Sequence, residues 1–206
     1  MADEFWQDRP AGTVHNTLST AKYPFLSRLR TVTDTESKLF ISNGKLSFAG
    51  GKATPAWGDP GVWYGPVSRE AGRILTGKVS PSSTGQDFAI GWHHSQSGTF
   101  ANTSSRIYFT TSGRIYPLES ITVGTYSVGD YQYAVVLRSS GSLVLVKGGA
   151  VYTNWTLVWV TAQGNISPLY PALLDYNGTF SADFLRIPSQ FWLPSPLISD
   201  GFSGID

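Results

Sequence analysis

The sequence predicts an all-β protein, an antiparallel β-sandwich or jelly roll, and three observations carry that prediction. Charged residues make up 14% of the 206-residue chain, against roughly 25% in an ordinary soluble domain. Helical proteins cover their solvent faces with Glu, Lys and Arg, so here Ser, Thr, Asn and Gly must take that place, and these suit strands and turns. Aromatic residues reach 14%, with 22 glycines and 12 prolines. Finally, short alternating apolar segments recur between turn residues, and none holds a 3.6-residue period over ten positions.

The same numbers exclude whole classes of function. A net charge of +1 lacks the basic footprint of a nucleic-acid binder. With no cysteine there is no disulfide, thiolate zinc site or cysteine nucleophile. No apolar run approaches the roughly 18 residues a membrane span needs. The start of the chain, Met1-Ala2-Asp3-Glu4-Phe5-Trp6, is acidic and reads as no Sec signal.

Element by element, the region from Asp3 to Tyr23 reads as polar and turn-rich, anchored by Phe5, Trp6, Val14 and Leu18. Residues 39–48 read as a hairpin, because Asn43-Gly44 between alternating runs favours a turn with positive φ at both central residues. Residues 50–70, holding Trp57, Trp63 and Tyr64, read as a long irregular loop, too long for a plain connector. Strands are then expected over 73–80, 87–93, 105–110, 114–118, 131–138, 142–147, 156–161 and 179–187. In the second of these, Phe88, Ile90 and Trp92 share one face, and Ala89, Gly91 and His93 the other. Residues 1–187 form the expected sandwich domain. The three prolines of 188–196 make an extended linker, and the tail beyond it repeats the Asp-x-Phe of Asp3-Glu4-Phe5 at Asp200-Gly201-Phe202. It reads as the start of a further module, an inter-subunit arm or a chance echo.

Taken together, Asp-x-Phe near the start, the run from Phe40 to Phe48, and long strands such as Phe88-Ala89-Ile90-Gly91-Trp92 resemble concanavalin A-like (laminin G-like) jelly-roll modules. The linker followed by Asp-x-Phe is similar to modules appended to phage virion and tail proteins. The resemblance implies a closing strand within 175–187 that pairs near the N-terminal one. It also implies a choice among lectins, adhesion domains and glycoside hydrolases, since fold alone does not fix function.

The residues narrow that choice. Retaining glycosidases need two carboxyls roughly 5–5.5 Å apart, and the jelly-roll glucanases resembled here carry them on one strand. The four glutamates, Glu4, Glu36, Glu70 and Glu119, stand in separate segments, and Asp87 and Asp183 each stand alone. The chain is therefore expected to be no enzyme, with glycoside hydrolase as the minor alternative. His93-His94 make a poor zinc site, because adjacent strand residues face opposite ways. Asp175-Tyr176-Asn177-Gly178-Thr179 has the oxygen ligands and tight turn of a short calcium loop, so Asp175 and Asn177 are candidate calcium ligands; the same pattern is ordinary turn chemistry. Sugars present flat C–H faces and polar rims, so Trp57, Trp63 and Tyr64 form the candidate carbohydrate platform, with Asp59 either accepting from hydroxyls or capping its own Gly58-Asp59-Pro60-Gly61 turn. The same aromatics also suit a loop folded back over the sandwich. Four Asn-x-Ser/Thr triplets, at Asn102, Asn154, Asn165 and Asn177, are read as chance.

The expected function is a non-catalytic structural or adhesion module of a phage tail, fibre or other surface appendage, on a virion or extracellular surface, contacting polysaccharide. A self-assembling subunit that reaches copies of itself through its tail is the alternative.

Overall fold

The structure, a computed structural model, describes residues 4–6, 14–17, 29–42, 45–96, 103–116, 124–161 and 167–187. The expected linker and tail at 188–206, the glycosylation triplets at Asn102 and Asn165, and Asn43-Gly44 lie outside the described residues. Among the described residues no helix is long and apolar enough to cross a membrane, and all regular structure is strand.

The strands are β1 (Glu4–Trp6), β2 (Val14–Thr17), β3 (Leu29–Thr33), β4 (Leu39–Ser42), β5 (Lys45–Ala49), β6 (Gly61–Gly65), β7 (Ile74–Pro81) and β8 (Phe88–His93). They continue as β9 (Thr103–Phe109), β10 (Arg114–Tyr116), β11 (Gly124–Thr125), β12 (Tyr131–Leu137), β13 (Ser142–Gly148), β14 (Tyr152–Thr161), β15 (Tyr170–Asp175) and β16 (Thr179–Ile187). Two antiparallel sheets result. The larger runs β14-β13-β12-β7-β16-β5-β4-β2, with β1 also on β16; the smaller runs β11-β10-β9-β8-β15-β6-β3.

The chemistry of each segment explains its place. Ser42 pairs with Lys45 across the Asn-Gly site, as a two-residue hairpin demands. Gly141 closes the β12–β13 hairpin at φ +91°, a conformation that side chains with a Cβ resist. The closing strand β16 pairs with β1 through Glu4 and Ile187, as the resemblance implies.

Inward-facing side chains of both sheets make one core. Phe48, Phe180, Phe88 and Phe109 stack in succession across it at centroid distances of 4.1, 3.9 and 4.6 Å, joining β5 and β16 of one sheet to β8 and β9 of the other. Two polar staples cross the same gap. The Trp92 indole donates to the Val135 carbonyl at 3.1 Å, and the Ser142 hydroxyl donates to that of Ser105 at 2.7 Å. As the alternation requires, Phe88, Ile90 and Trp92 all belong to this core.

Two expectations are corrected. Residues 50–70 are not one loop: they contain β6, a fully buried inner strand of the smaller sheet between β15 and β3. Residues 170–175, not expected as a strand, form β15 beside it.

Candidate functional site

The site is built where β6 begins and β15 ends. The loop before β6 is clamped from several sides. Both oxygens of Glu36 accept from the Ala53 amide, and the Gly58 amide donates to the Asp175 carbonyl at 3.0 Å. Asp59 ties the loop to the turn after β3: its Oδ1 accepts from the Thr35 amide at 3.0 Å, and its Oδ2 from the Thr35 hydroxyl at 2.7 Å and the Lys52 ammonium at 3.0 Å. Burial opposes ionisation of Asp59, but the Thr35 and Lys52 donors outweigh it and hold its pKa below the usual value. With three bonds made and 8% exposure, Asp59 is a brace and not an open acceptor for sugar hydroxyls.

The clamp fixes Trp57. This ring is half-buried against the Trp63, Ala172 and Leu174 cluster on the outer face of the smaller sheet. It also meets Tyr176 at 5.5 Å and Tyr108 at 5.3 Å, and Tyr108 meets Tyr116 at 6.0 Å. Tyr176, Trp57, Tyr108 and Tyr116 thus form a row of four half-buried rings drawn from a turn, a loop and two strands. The Tyr108 hydroxyl donates to Asp87 Oδ1 at 2.8 Å, which also accepts from the Thr111 amide at 2.9 Å. Burial first, then the hydrogen bond to Asp87 and its charge, raises the Tyr108 pKa well above its ordinary value, so this phenol stays a neutral donor.

Of the predicted platform, the structure places only Trp57 at the surface. Trp63 and Tyr64 lie in β6 at 1% and 5% exposure on opposite faces, Tyr64 in the inter-sheet core and Trp63 in the outer cluster. Strand alternation separates them, which a loop would not. Tyr108, Tyr116 and Tyr176 escaped the sequence reading because only long-range pairing brings β9 and the β15–β16 turn to the same place.

Asp175 and Asn177 also part. Asp175 is fully buried; its Oδ1 accepts from the Gly178 amide at 2.6 Å, while Oδ2 has no partner. Burial, opposed by the Gly178 and Tyr176 amides and assisted by Asp87, pushes its pKa up to about 8. Asn177 is exposed. The histidines depart from the expected geometry, because β8 ends at His93: the two rings lie 5.8 Å apart and nearly parallel. His93 Nδ1 is within 2.6 Å of the Ser95 carbonyl.

No family model matches the sequence, and no curated protein matches it. Solved structures do match the fold. The exoplasmic/lumenal domain of VIP36 in its Ca2+/Man2-bound form superposes with a TM-score of 0.56 at 8% identity, covering 91% of this chain and 90% of that one. A structure described with the endo-acting O-glycanases of human gut bacteria gives 0.54 at 12% identity, covering 88% and 100%. The sialidase of Trypanosoma rangeli gives 0.55 at 11% identity over 92% of this chain, which spans only 30% of that enzyme.

A calcium ion takes roughly six to eight oxygen ligands. In the 175–178 turn Asp175 Oδ1 is taken by the Gly178 amide and Oδ2 lies inside a fully buried side chain. Of the two candidates only exposed Asn177 can turn a side-chain oxygen outward, while Asp87 Oδ1 already accepts two bonds. Among the described residues no three acidic or histidine side chains converge. These residues do not fit a calcium shell. A chelator is accordingly expected to leave the melting temperature unchanged, since an ion bound to the native state would have stabilised it; a fall on adding chelator would contradict this. The chain has the concanavalin A-like (laminin G-like) jelly-roll fold.

Proposed function

We propose that this chain is a non-catalytic carbohydrate-binding module whose contact surface is the ring row Tyr176, Trp57, Tyr108 and Tyr116. The observation that carries the reading is that half-buried Trp57 is held rigid, by the Asp59 brace below and tyrosines on either side. A rigid aromatic surface binds a sugar face without first losing side-chain freedom. The Man2-bound VIP36 domain supports the reading as a protein of the same fold in complex with a saccharide.

A hydrolase needs an acid and a nucleophile that both reach substrate. Asp175, beside Asp87, keeps its proton up to about pH 8 as an acid would, yet it has no exposed surface. The two carboxyls brace turns instead. A glycan array on the folded chain tests the proposal: binding to a defined saccharide set is expected, and no binding to any glycan overturns it.

The low charge suits a setting on a phage tail, fibre or other surface appendage, on a virion or extracellular surface, among copies of itself, because such a surface repels neither a crowded neighbour nor a polysaccharide. A second reading, self-assembly, gains support from β14. Over ten residues this edge strand carries no charge and no proline, pairs among the described strands only with β13, and exposes Val160 at 45%. Edge strands without charge or proline can accept further strands, although two register shifts interrupt the pairing of β14 with β13. On that reading the chain is oligomeric in light scattering and Val160→Lys dissociates it, whereas an unchanged mass contradicts assembly through this edge.

A further inference from the structure

At the opposite end of the sandwich, one strand length away along β6, a cavity of about 270 Å³ is lined by Arg69, Ala71, Arg138, Ser139 and Ser167. Three segments meet there: the connection from β6 to β7, the β12–β13 hairpin and the approach to β15. Arg69 organises them. Its Nη2 donates to the carbonyls of Arg138 at 3.1 Å and Gly141 at 2.7 Å, and its amide donates to the Ser167 hydroxyl at 3.3 Å.

Among the described residues the two arginines have no counter-charge. Arg69 Nε is buried and has no hydrogen-bond partner, and Arg69 forms no ion pair among the described residues. The Arg138 guanidinium has neither a hydrogen bond nor an ion pair among them. The one carboxylate on the lining segments is Glu70, and Arg73 holds it at 2.7 Å. Burial without a counter-charge lowers the Arg69 pKa below its ordinary value. Buried cationic donors left unsatisfied are costly, and a guanidinium is relieved most fully by an oxyanion that accepts two parallel bonds. Two serine hydroxyls beside the arginines supply further donors.

We propose that this cavity binds an oxyanion: the carboxylate or sulfate group of an acidic saccharide, or a free anion of the same chemistry. Its volume lies just under the roughly 300–1,000 Å³ of ordinary ligand pockets, so it takes a single charged unit and not a long chain. The inference does not rest on the aromatic row, which lies at the other end of β6.

Titration of the full chain with sodium sulfate, sodium glucuronate and glucose at constant ionic strength, followed by amide chemical shifts and melting temperature, tests the proposal. Sulfate or glucuronate is expected to give saturable shifts around residues 138–141 and 167, and glucose none. Tighter binding of glucuronate assigns an acidic sugar as occupant; equal or tighter binding of sulfate assigns the free anion. Arg138→Gln should weaken binding about tenfold or more, the loss of one charge-assisted pair. It should leave the unliganded melting temperature in place, because the Arg138 side chain makes no hydrogen bond or ion pair among the described residues. The same variant controls for general salting-out by sulfate, which needs no site. Trp57→Ala should leave the anion shifts intact, so failure of the glycan reading and failure of this one are separable. Absence of any saturable anion shift, or a shift that survives Arg138→Gln, overturns the proposal.

Discussion

Phe88→Ala is expected to lower unfolding free energy by about 3–5 kcal/mol, the range for truncating a buried aromatic in a core that cannot collapse around the gap. Phe88 has no exposed surface and is sandwiched between Phe180 at 3.9 Å and Phe109 at 4.6 Å, with interplanar angles of 13° and 7°. Phe180 belongs to the larger sheet and Phe109 to the smaller, so the ring removed is a link between the layers. Domains of this size are stable by only about 5–15 kcal/mol, so the loss takes a large share of the total. Denaturant unfolding with unchanged slope and a lower midpoint checks it. Phe88→Leu, which keeps most of the volume, should cost well under half as much. A drop below about 1 kcal/mol for the alanine variant would mean that the stack does not join the sheets.

The second large effect is electrostatic and depends on pH. Asp175 holds its proton in the folded chain up to about pH 8, against an ordinary value of 3.8 when unfolded. A folded pKa above the unfolded one means that the native state binds the extra proton, so the associated stability is fully present below about pH 4 and lost as pH rises toward 8. A tenfold difference in proton affinity is worth about 1.4 kcal/mol, so the decline across that window is on the order of several kcal/mol. Asp59 and Asp130 act oppositely. Donors from Thr35 and Lys52, and from Lys78 and Ser80, lower their pKa, so their stabilisation is lost as pH falls below the usual carboxylate range. The wild-type chain should therefore be most stable in mildly acidic solution. Asp175→Asn keeps an oxygen for the Gly178 amide and removes the ionisation, so its stability should be nearly flat between pH 5 and 8 (roughly one linkage window). A variant that keeps the wild-type slope would show that another group carries it.

Where the chain was legible, local chemistry decided the structure. Residues 179–187 form β16 with the expected bounds, the hairpin around Asn43-Gly44 follows from its turn residues, and the alternation at Phe88–His93 sorts core from outer face. Where the sequence misled, tertiary pairing overrode the local signal. β6, Gly-Val-Trp-Tyr-Gly between two prolines, lacks polar alternation because both its faces are buried, and such a strand cannot be distinguished from an aromatic loop by period alone. β15 contains Pro171, which argues against a central strand. It is tolerated because β6 pairs only with Ala172–Leu174, leaving Pro171 paired to β8 alone. The candidate site was half legible for the same reason. Trp57 stands out in a Gly- and Pro-rich loop, but its partners Tyr108 and Tyr176 are 51 and 119 positions further along the chain and meet it only through sheet order.

The scarcity of charge that first argued for strands bears on function as well. The described carboxylates at the Trp57 end are engaged in bracing: Asp34 caps a turn, Glu36 and Asp59 hold the loop, Asp87 anchors Tyr108, and Asp175 pins the β15–β16 turn. Beside these braces the half-buried rings of Trp57, Tyr108, Tyr116 and Tyr176 stand partly open to solvent.

The affinity of Trp57→Ala for the saccharide selected on the array, measured by titration calorimetry beside the wild-type chain, decides whether the ring row is the binding surface. With folding at the assay temperature verified by circular dichroism, a loss of about tenfold or more, 1.4 kcal/mol per tenfold, is predicted. Undiminished affinity in the folded variant would contradict the assignment of the ring row as the carbohydrate contact.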